Sequence, residues 1–169
     1  AYTMDSAKQL REIQEPLKTK YRATPEAALV TLSAKAKVGE GITCKIQTGK
    51  ALVEAGLHPA TGGEGIAACS GDMLLESLAA CAGVTLKAVA TAIDFDLRDA
   101  TVYVDGDLDF RGTLSVDKEA PVGFKNITVR FDLQTEENQE RIDSLIKLTE
   151  RFCVVYQTLA KGTNLQIAK

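Results

Sequence analysis

The stretch Met73-Leu74-Leu75-Glu76-Ser77-Leu78-Ala79-Ala80-Cys81-Ala82-Gly83-Val84-Thr85-Leu86 decides the fold of this chain. Leu, Met, Ala and Glu are strong helix formers, and no Pro interrupts the run. Ser70 stands where a cap would satisfy the first backbone N–H groups, and Asp72 puts a carboxylate in the first turn. The spacing predicts a helix from Ser70 to about Ile93. It is apolar nearly all round between Met73 and Val89, the pattern of a helix enclosed by its domain. Cys81 sits near its middle, with Ser70, Leu74, Ser77, Thr85 and Ala88 on the same face at about 3.6 residues per turn.

Upstream of this helix, Asp5 to Lys20 reads as another. Leu10, Ile13 and Leu17 recur at helical spacing, Asp5 or Ser6 caps the start, and Pro16 kinks or ends it. Ala28 to Val38 alternates as a strand, Gly39-Glu40-Gly41 turns, Ile42 to Thr48 returns, and Ala51 to Gly56 gives a third short strand. Leu57 to Gly71, with Gly62-Gly63-Glu64-Gly65, reads as a flexible loop delivering the chain to the central helix.

Downstream, Leu97 to Phe110 alternates, Gly112 to Val116 continues it or follows a bulge, and Ile127 to Leu133 is a clean strand. Thr135 opens a helix to about Glu150. Cys153 falls near its end or in a short helix from Val154 to Lys161 that Gly162 stops, and Thr163 to Ala168 reads as a last strand. Strands in runs joined by short turns predict antiparallel sheets around a long buried helix. That is an α+β class, in one domain over residues 1–169.

With 169 residues, 45% hydrophobic and 25% charged, the chain can bury an ordinary core. A net charge of -3 without any Lys/Arg run argues against nucleic acid and anionic membranes as partners. No Trp and 5% aromatics argue against a base-stacking platform. No apolar run approaches the roughly 20 residues of a bilayer span. The N-terminus lacks the pattern of a secretory signal, and Cys44, Cys69, Cys81 and Cys153 are irregularly spaced. Both features predict a reducing, cytoplasmic setting, where a cysteine pair is more often redox-active than structural.

If the fold brings Cys81 and Cys153 together, the chain is a thiol-redox protein. If not, they are small core residues, and apolar burial raises a thiol pKa. Cys44 alternates with Ile42 and Ile46 on an apolar strand face and reads as core filler. Cys69, at the loop–helix junction, could be activated by the helix N-terminus, but a packed residue is the plainer reading. His58 is the single histidine, with no second ligand at zinc spacing. The glycine loop lacks the Gly-Lys-Ser/Thr ending of a nucleotide site.

The Gly62–Gly65 loop, the helix Leu74 to Cys81, and Cys153-Val154-Val155-Tyr156-Gln157-Thr158-Leu159, in that order, resemble the OsmC/Ohr family of osmotically induced and organic-hydroperoxide-resistance proteins. The resemblance runs from about Ala28 onward, with residues 1–24 as an N-terminal helical extension. It implies an OsmC-like fold in an intertwined homodimer, with active sites at the subunit interface and no cofactor or metal. It implies a stress-response thiol peroxidase. Cys81 would attack an organic hydroperoxide and become a sulfenic acid, Cys153 would resolve it as a disulfide, and an external dithiol would reduce that. Family members activate the attacking thiol with a Glu near the start of the central helix and a distant Arg. Here the best-matching position holds Asp72, a third catalytic candidate, or Gly71 in the alignment of the peroxide-resistance branch, and Glu76 is a further acid. No Arg occurs between Arg22 and Arg98, so Arg22 and His58 are the candidates for the activating cation, and with Glu76 they are the candidate binding residues. Ser70-Gly71 replaces the family's Pro before the acid, and Cys153-Val154 its frequent Cys-Pro. These departures leave open a non-catalytic small-ligand-binding member and a redox sensor of the same fold.

Overall fold

The structure is a computed structural model that describes residues 6–24, 35–38, 43–47, 52–62, 65–114 and 117–169. Some side chains within these ranges, among them those of Arg22 and Cys44, lie outside the description. The elements are α1 (Ala7–Ala23), β1 (Lys35–Val38), β2 (Thr43–Gln47), β3 (Leu52–Gly56), β4 (Ala68–Cys69), α2 (Ser70–Ala92), β5 (Asp99–Leu108), α3 (Phe110–Thr113), β6 (Phe124–Gln134), α4 (Gln139–Phe152) and α5 (Val154–Lys161). They divide into two compact units, one of residues 1–30, 78–103 and 131–169, the other of residues 31–77 and 104–130.

In the first unit, Leu86, Ala90, Phe95 and Leu145 form the buried core. Leu78, Ala82, Leu86 and Ala90 recur every fourth residue, so α2 buries a single stripe. Most of its other apolar positions are half-buried, Val89 among them against the core, while Val84 is 73% exposed. Burial all round, as expected from the sequence, is therefore not met within the single chain. By length and composition α2 is also long and apolar enough to cross a membrane, contrary to the expectation from the sequence, but its buried stripe is that of a core helix.

Helix ends follow from capping chemistry. Ser6 Oγ accepts from Gln9 N–H at 3.2 Å to start α1. Asp94, at φ 51, ends α2, and Phe95 N–H reaches back to Ala90 O at 2.9 Å. Arg141 from α4 donates to Ile93 O and Asp94 O at 3.2 and 3.1 Å, a cation on otherwise orphaned carbonyls. Asn138, rather than Thr135, caps α4 by accepting from Arg141 N–H at 2.9 Å. Thr135 Oγ1 instead accepts from the N–H of Glu137, two residues further along.

In the second unit β1, β2, β3 and β4 form one sheet in that order. β1 and β2 pair antiparallel with Val38 opposite Cys44, and β2 and β3 antiparallel with Thr43 opposite Gly56. β3 and β4 pair parallel through Ala55–Ala68 and Gly56–Cys69, a short exception to the expected antiparallel order. Between β3 and β4 most described residues have neither helix nor strand, apart from a 3-10 turn, Pro59–Thr61, that His58 caps and that ends on Gly62 at φ 92.

β5 and β6 form a separate two-stranded sheet with alternating burial. Arg98 N–H donates to Gln134 O at 2.9 Å, and Asn126 Nδ2 to Asp107 Oδ2 at 3.1 Å, so the strands run antiparallel. At residues 112–113 α3 stands in place of the expected strand, because Asp109 accepts from Arg111 N–H and nucleates a helical turn; residues 115–116 lie outside the described ones. The expected strand Thr163 to Ala168 is absent: Gly162–Lys169 has no regular structure and is exposed, since no strand among the described residues pairs with it. The expectations for residues 28–34, 39–42, 48–51 and 63–64 lie outside the described residues.

Candidate active site

Two elements of the first unit build the site. α2 carries Cys81. The break between α4 and α5 carries Cys153, which ends one helix and begins the next with extended backbone angles (φ -72, ψ 109). Its N–H still closes α4 onto Thr149 O at 2.9 Å, and its carbonyl accepts from Gln157 N–H at 2.9 Å to open α5. Thr149, buried, folds its hydroxyl onto Leu145 O at 2.8 Å, so no polar atom is stranded beside the break. Gln157 Nε2 donates to Glu150 O at 2.8 Å and ties α5 to the end of α4.

This break frees the first amides of α5, which have no acceptor within their own helix. Those of Val155 and Val154 donate to the Cys81 sulfur. The Cys153 thiol donates to it as well, and Thr85 Oγ1, one turn along α2, lies 4.0 Å from it. Burial pushes the half-buried Cys81 thiol up. The hydrogen bonds from Val155, Cys153, Thr85 and Val154 more than offset this, and its pKa falls below the ordinary thiol value. Cys153 is 1% exposed, and burial pushes its thiol up. The amides of Tyr156 and Val155 pull it down, but its bond to Cys81 and the charge there push it up again, leaving it above the ordinary value. Cys81 therefore ionises first, while Cys153 keeps its proton and presents it to the thiolate. Both thiols are free, with no disulfide between them.

The remaining candidates lie elsewhere. Asp72, in the first turn of α2, and Glu76 are exposed, and neither is among the groups that act on the Cys81 thiol. Asp72 and His58 both line a cavity of about 320 Å³ in the second unit, together with Cys69; Glu76 does not. Arg22 lies on α1, but its side chain is outside the described ones. No cluster of three metal-ligating side chains occurs among the described residues. Sequence reasoning looked for an activating side chain and missed the amides of Val154 and Val155. One signal was available: a residue other than Pro after Cys153 keeps an N–H there.

Two thiols of opposed acidity in hydrogen-bond contact, on an α+β frame, are the equipment of dithiol chemistry. Residues 62–168 match the model of the family described as OsmC-like protein. This chain belongs to that family. The fold is similar to an OsmC-like protein of Mycoplasma pneumoniae, at a TM-score of 0.67 and 16% identity over 79% of this chain and 89% of that one. It is similar to an organic hydroperoxide resistance protein OsmC of Legionella pneumophila, at 0.61 and 21% over 78% and 90%. It is also similar to the organic hydroperoxide resistance protein OhrB of Bacillus subtilis, at 0.53 and 20% over 80% and 94%. Among curated protein sequences, none matches this chain.

Proposed function

We propose that this chain is a thiol peroxidase that reduces organic hydroperoxides, with Cys81 attacking and Cys153 resolving. The observation that carries the reading is the Cys81 thiol held below its ordinary pKa by the α5 amides and the Cys153 thiol. The thiolate sulfur attacks the terminal oxygen of the hydroperoxide. An S–O bond forms, the O–O bond breaks, and the departing alkoxide takes a proton and leaves as the alcohol. The Cys153 sulfur then attacks the Cys81 sulfenic acid, forming S–S and releasing water. An external dithiol restores both thiols by exchange.

Amides serve as activator here in place of the family's Glu and Arg. A helix N-terminus favours an anion, and the charge it offers does not titrate. Asp72, His58 and Glu76 are thereby left to substrate or partner contacts. The small and apolar neighbours of Cys81 along α2, Ala80, Ala82 and Val84, favour apolar hydroperoxides over hydrogen peroxide.

The active form in this reading is a homodimer. In the first unit Val84, Phe152, Val154, Leu165 and Ile167 are large apolar residues left exposed, more than a lone chain comfortably presents. A cytoplasmic setting suits the proposal, because a dithiol reductant must reach the disulfide. The test is rapid-mixing peroxide consumption by the wild type and by Cys81→Ser. The proposal expects turnover only in the wild type, and full activity in the variant would end it.

A further inference from the structure

We infer that the cavity at the head of α2, in the second unit, is a binding site for a flat, uncharged aryl ketone, with Cys69 as its attachment point when that ketone carries a conjugated double bond. The inference does not rest on the peroxidase reading, since neither Cys81 nor Cys153 lines the cavity.

The cavity has two lobes of about 320 and 540 Å³ that share His58, Cys69, Gly71, Leu108, Phe110 and Phe124. These volumes are those of small-molecule sites, with the larger lobe mainly apolar and the smaller one evenly polar and apolar. Phe110 and Phe124 provide flat apolar walls. The His58 ring stacks on Phe110, with centroids 5.0 Å apart and planes 17° from parallel. His58 Nδ1 accepts from Ala60 N–H at 3.0 Å, which assigns the proton of the neutral ring to Nε2. Nε2–H has no protein partner among the described residues, so the wall offers a donor to an acceptor that the chain does not supply.

Charge narrows the acceptor. Asp72 and Asp107 line the smaller lobe, and among the described residues no Lys or Arg lines either one. A carboxylate would meet two like charges, whereas an uncharged ketone oxygen avoids that repulsion and can accept from the imidazole N–H. Space at the site comes from Gly71. Glycine in the first turn of α2 gives up the helix propensity that alanine would bring, about 1 kcal/mol. A Cβ there would lie 3.3 Å from Leu108 Cδ1, 3.5 Å from Phe124 Cζ and 3.6 Å from Cys69 Sγ. The missing side chain leaves that corner open and the sulfur reachable. With an enone, the Cys69 sulfur adds to the β-carbon. An S–C bond forms, the C=C pair shifts to give the enolate, and the proton given up by the thiol ends on the α-carbon. No oxidant or reductant is needed.

The test uses the full-length chain with the solvatochromic aryl ketone prodan and its acryloyl counterpart acrylodan. Prodan emission is expected to shift to the blue on binding. Gly71→Leu, which fills the corner while keeping a good helix former, should weaken binding at least tenfold, on the order of a well-packed side chain's worth of excluded volume. His58→Phe keeps the ring stack and removes the donor, and should weaken it roughly threefold to tenfold. Acrylodan should label Cys69, located by peptide mass spectrometry, and excess prodan should slow that labelling about tenfold, as occupancy by a competitor requires. Equal prodan affinity in wild type and Gly71→Leu overturns the site, as does tighter binding of naphthoate than of prodan. Should Gly71→Leu fail to fold by circular dichroism, protection of Cys69 by prodan in the wild type decides alone: protection supports the site and its absence overturns it.

Discussion

Replacing Val154 by Pro separates the backbone account of Cys81 activation from any side-chain account. Val154 is the first residue of α5, and Cys153 before it has the extended geometry that a following Pro requires. The Val154 side chain is 70% exposed in the single chain, so no core packing of the unit is lost, and size-exclusion chromatography of the variant checks that the proposed dimer persists. The substitution removes one N–H donor to the Cys81 sulfur and leaves the helix intact. A hydrogen bond to a charged group contributes about 1.5–3 kcal/mol, and about 1.36 kcal/mol corresponds to one pKa unit. Val154 acts on the sulfur less than Val155 does, so the lower end applies and the Cys81 pKa should rise by about one unit. Below that pKa the thiolate fraction then falls about tenfold. A more basic thiolate is also more nucleophilic, with a Brønsted slope of about 0.4–0.5, which returns about threefold. The peroxide rate should therefore drop about threefold to fourfold at neutral pH and exceed the wild-type rate by about threefold in alkali. The assay is iodoacetamide alkylation of Cys81 against pH, followed by mass spectrometry, with rapid-mixing peroxide rates over the same range. Profiles that superimpose, with α5 still helical, would refute the reasoning.

Cys153→Ala removes the resolving thiol and its hydrogen bond to Cys81. The first equivalent of hydroperoxide should still be reduced, turnover should stop, and dimedone should trap a Cys81 sulfenic acid that the wild type does not accumulate. Leu145→Ala empties a position with 0% exposure in the core of the first unit and should cost about 3 kcal/mol, read from urea unfolding. Asp109 is held at a pKa of about 2 by its hydrogen bonds from Arg111. Its ordinary value, 3.8, is higher, so the stabilisation is complete above 3.8 and is lost as pH falls toward about 2. In Arg111→Gln the carboxyl should titrate near 3.8 instead, as carbon-detected NMR of Asp109 would show.

What the sequence disclosed and what it hid divide along local and non-local physics. α2 and α5 were legible because their signals are local: Ser70 and Asp72 at one start, Gly162 at one end, helix formers between. β6 was legible from its alternation. α3 was not, since the capping of Asp109 onto Arg111 competes with a strand pattern that runs right up to Leu108. The degree of burial of α2 was overread because composition reports what a helix can bury, not how many faces are met. The segment Thr163 to Ala168 alternates like a strand, but a strand needs a neighbour that alternation does not supply. At the site, Cys81 and Cys153 were singled out by their contexts, while their contact is a tertiary fact. The α5 amides stayed hidden because backbone donors leave no residue-type signature. Val154 and Val155 look like filler in the sequence.

The central claim is that Cys81 and Cys153 form one working pair, the first attacking and the second resolving. The most direct measurement treats the reduced wild type with a single equivalent of cumene hydroperoxide and maps the products by non-reducing peptide mass spectrometry. A Cys81–Cys153 disulfide is expected, formed at the rate at which peroxide disappears and absent in Cys81→Ser. Consumption of the peroxide with Cys81 and Cys153 both still free thiols would contradict it.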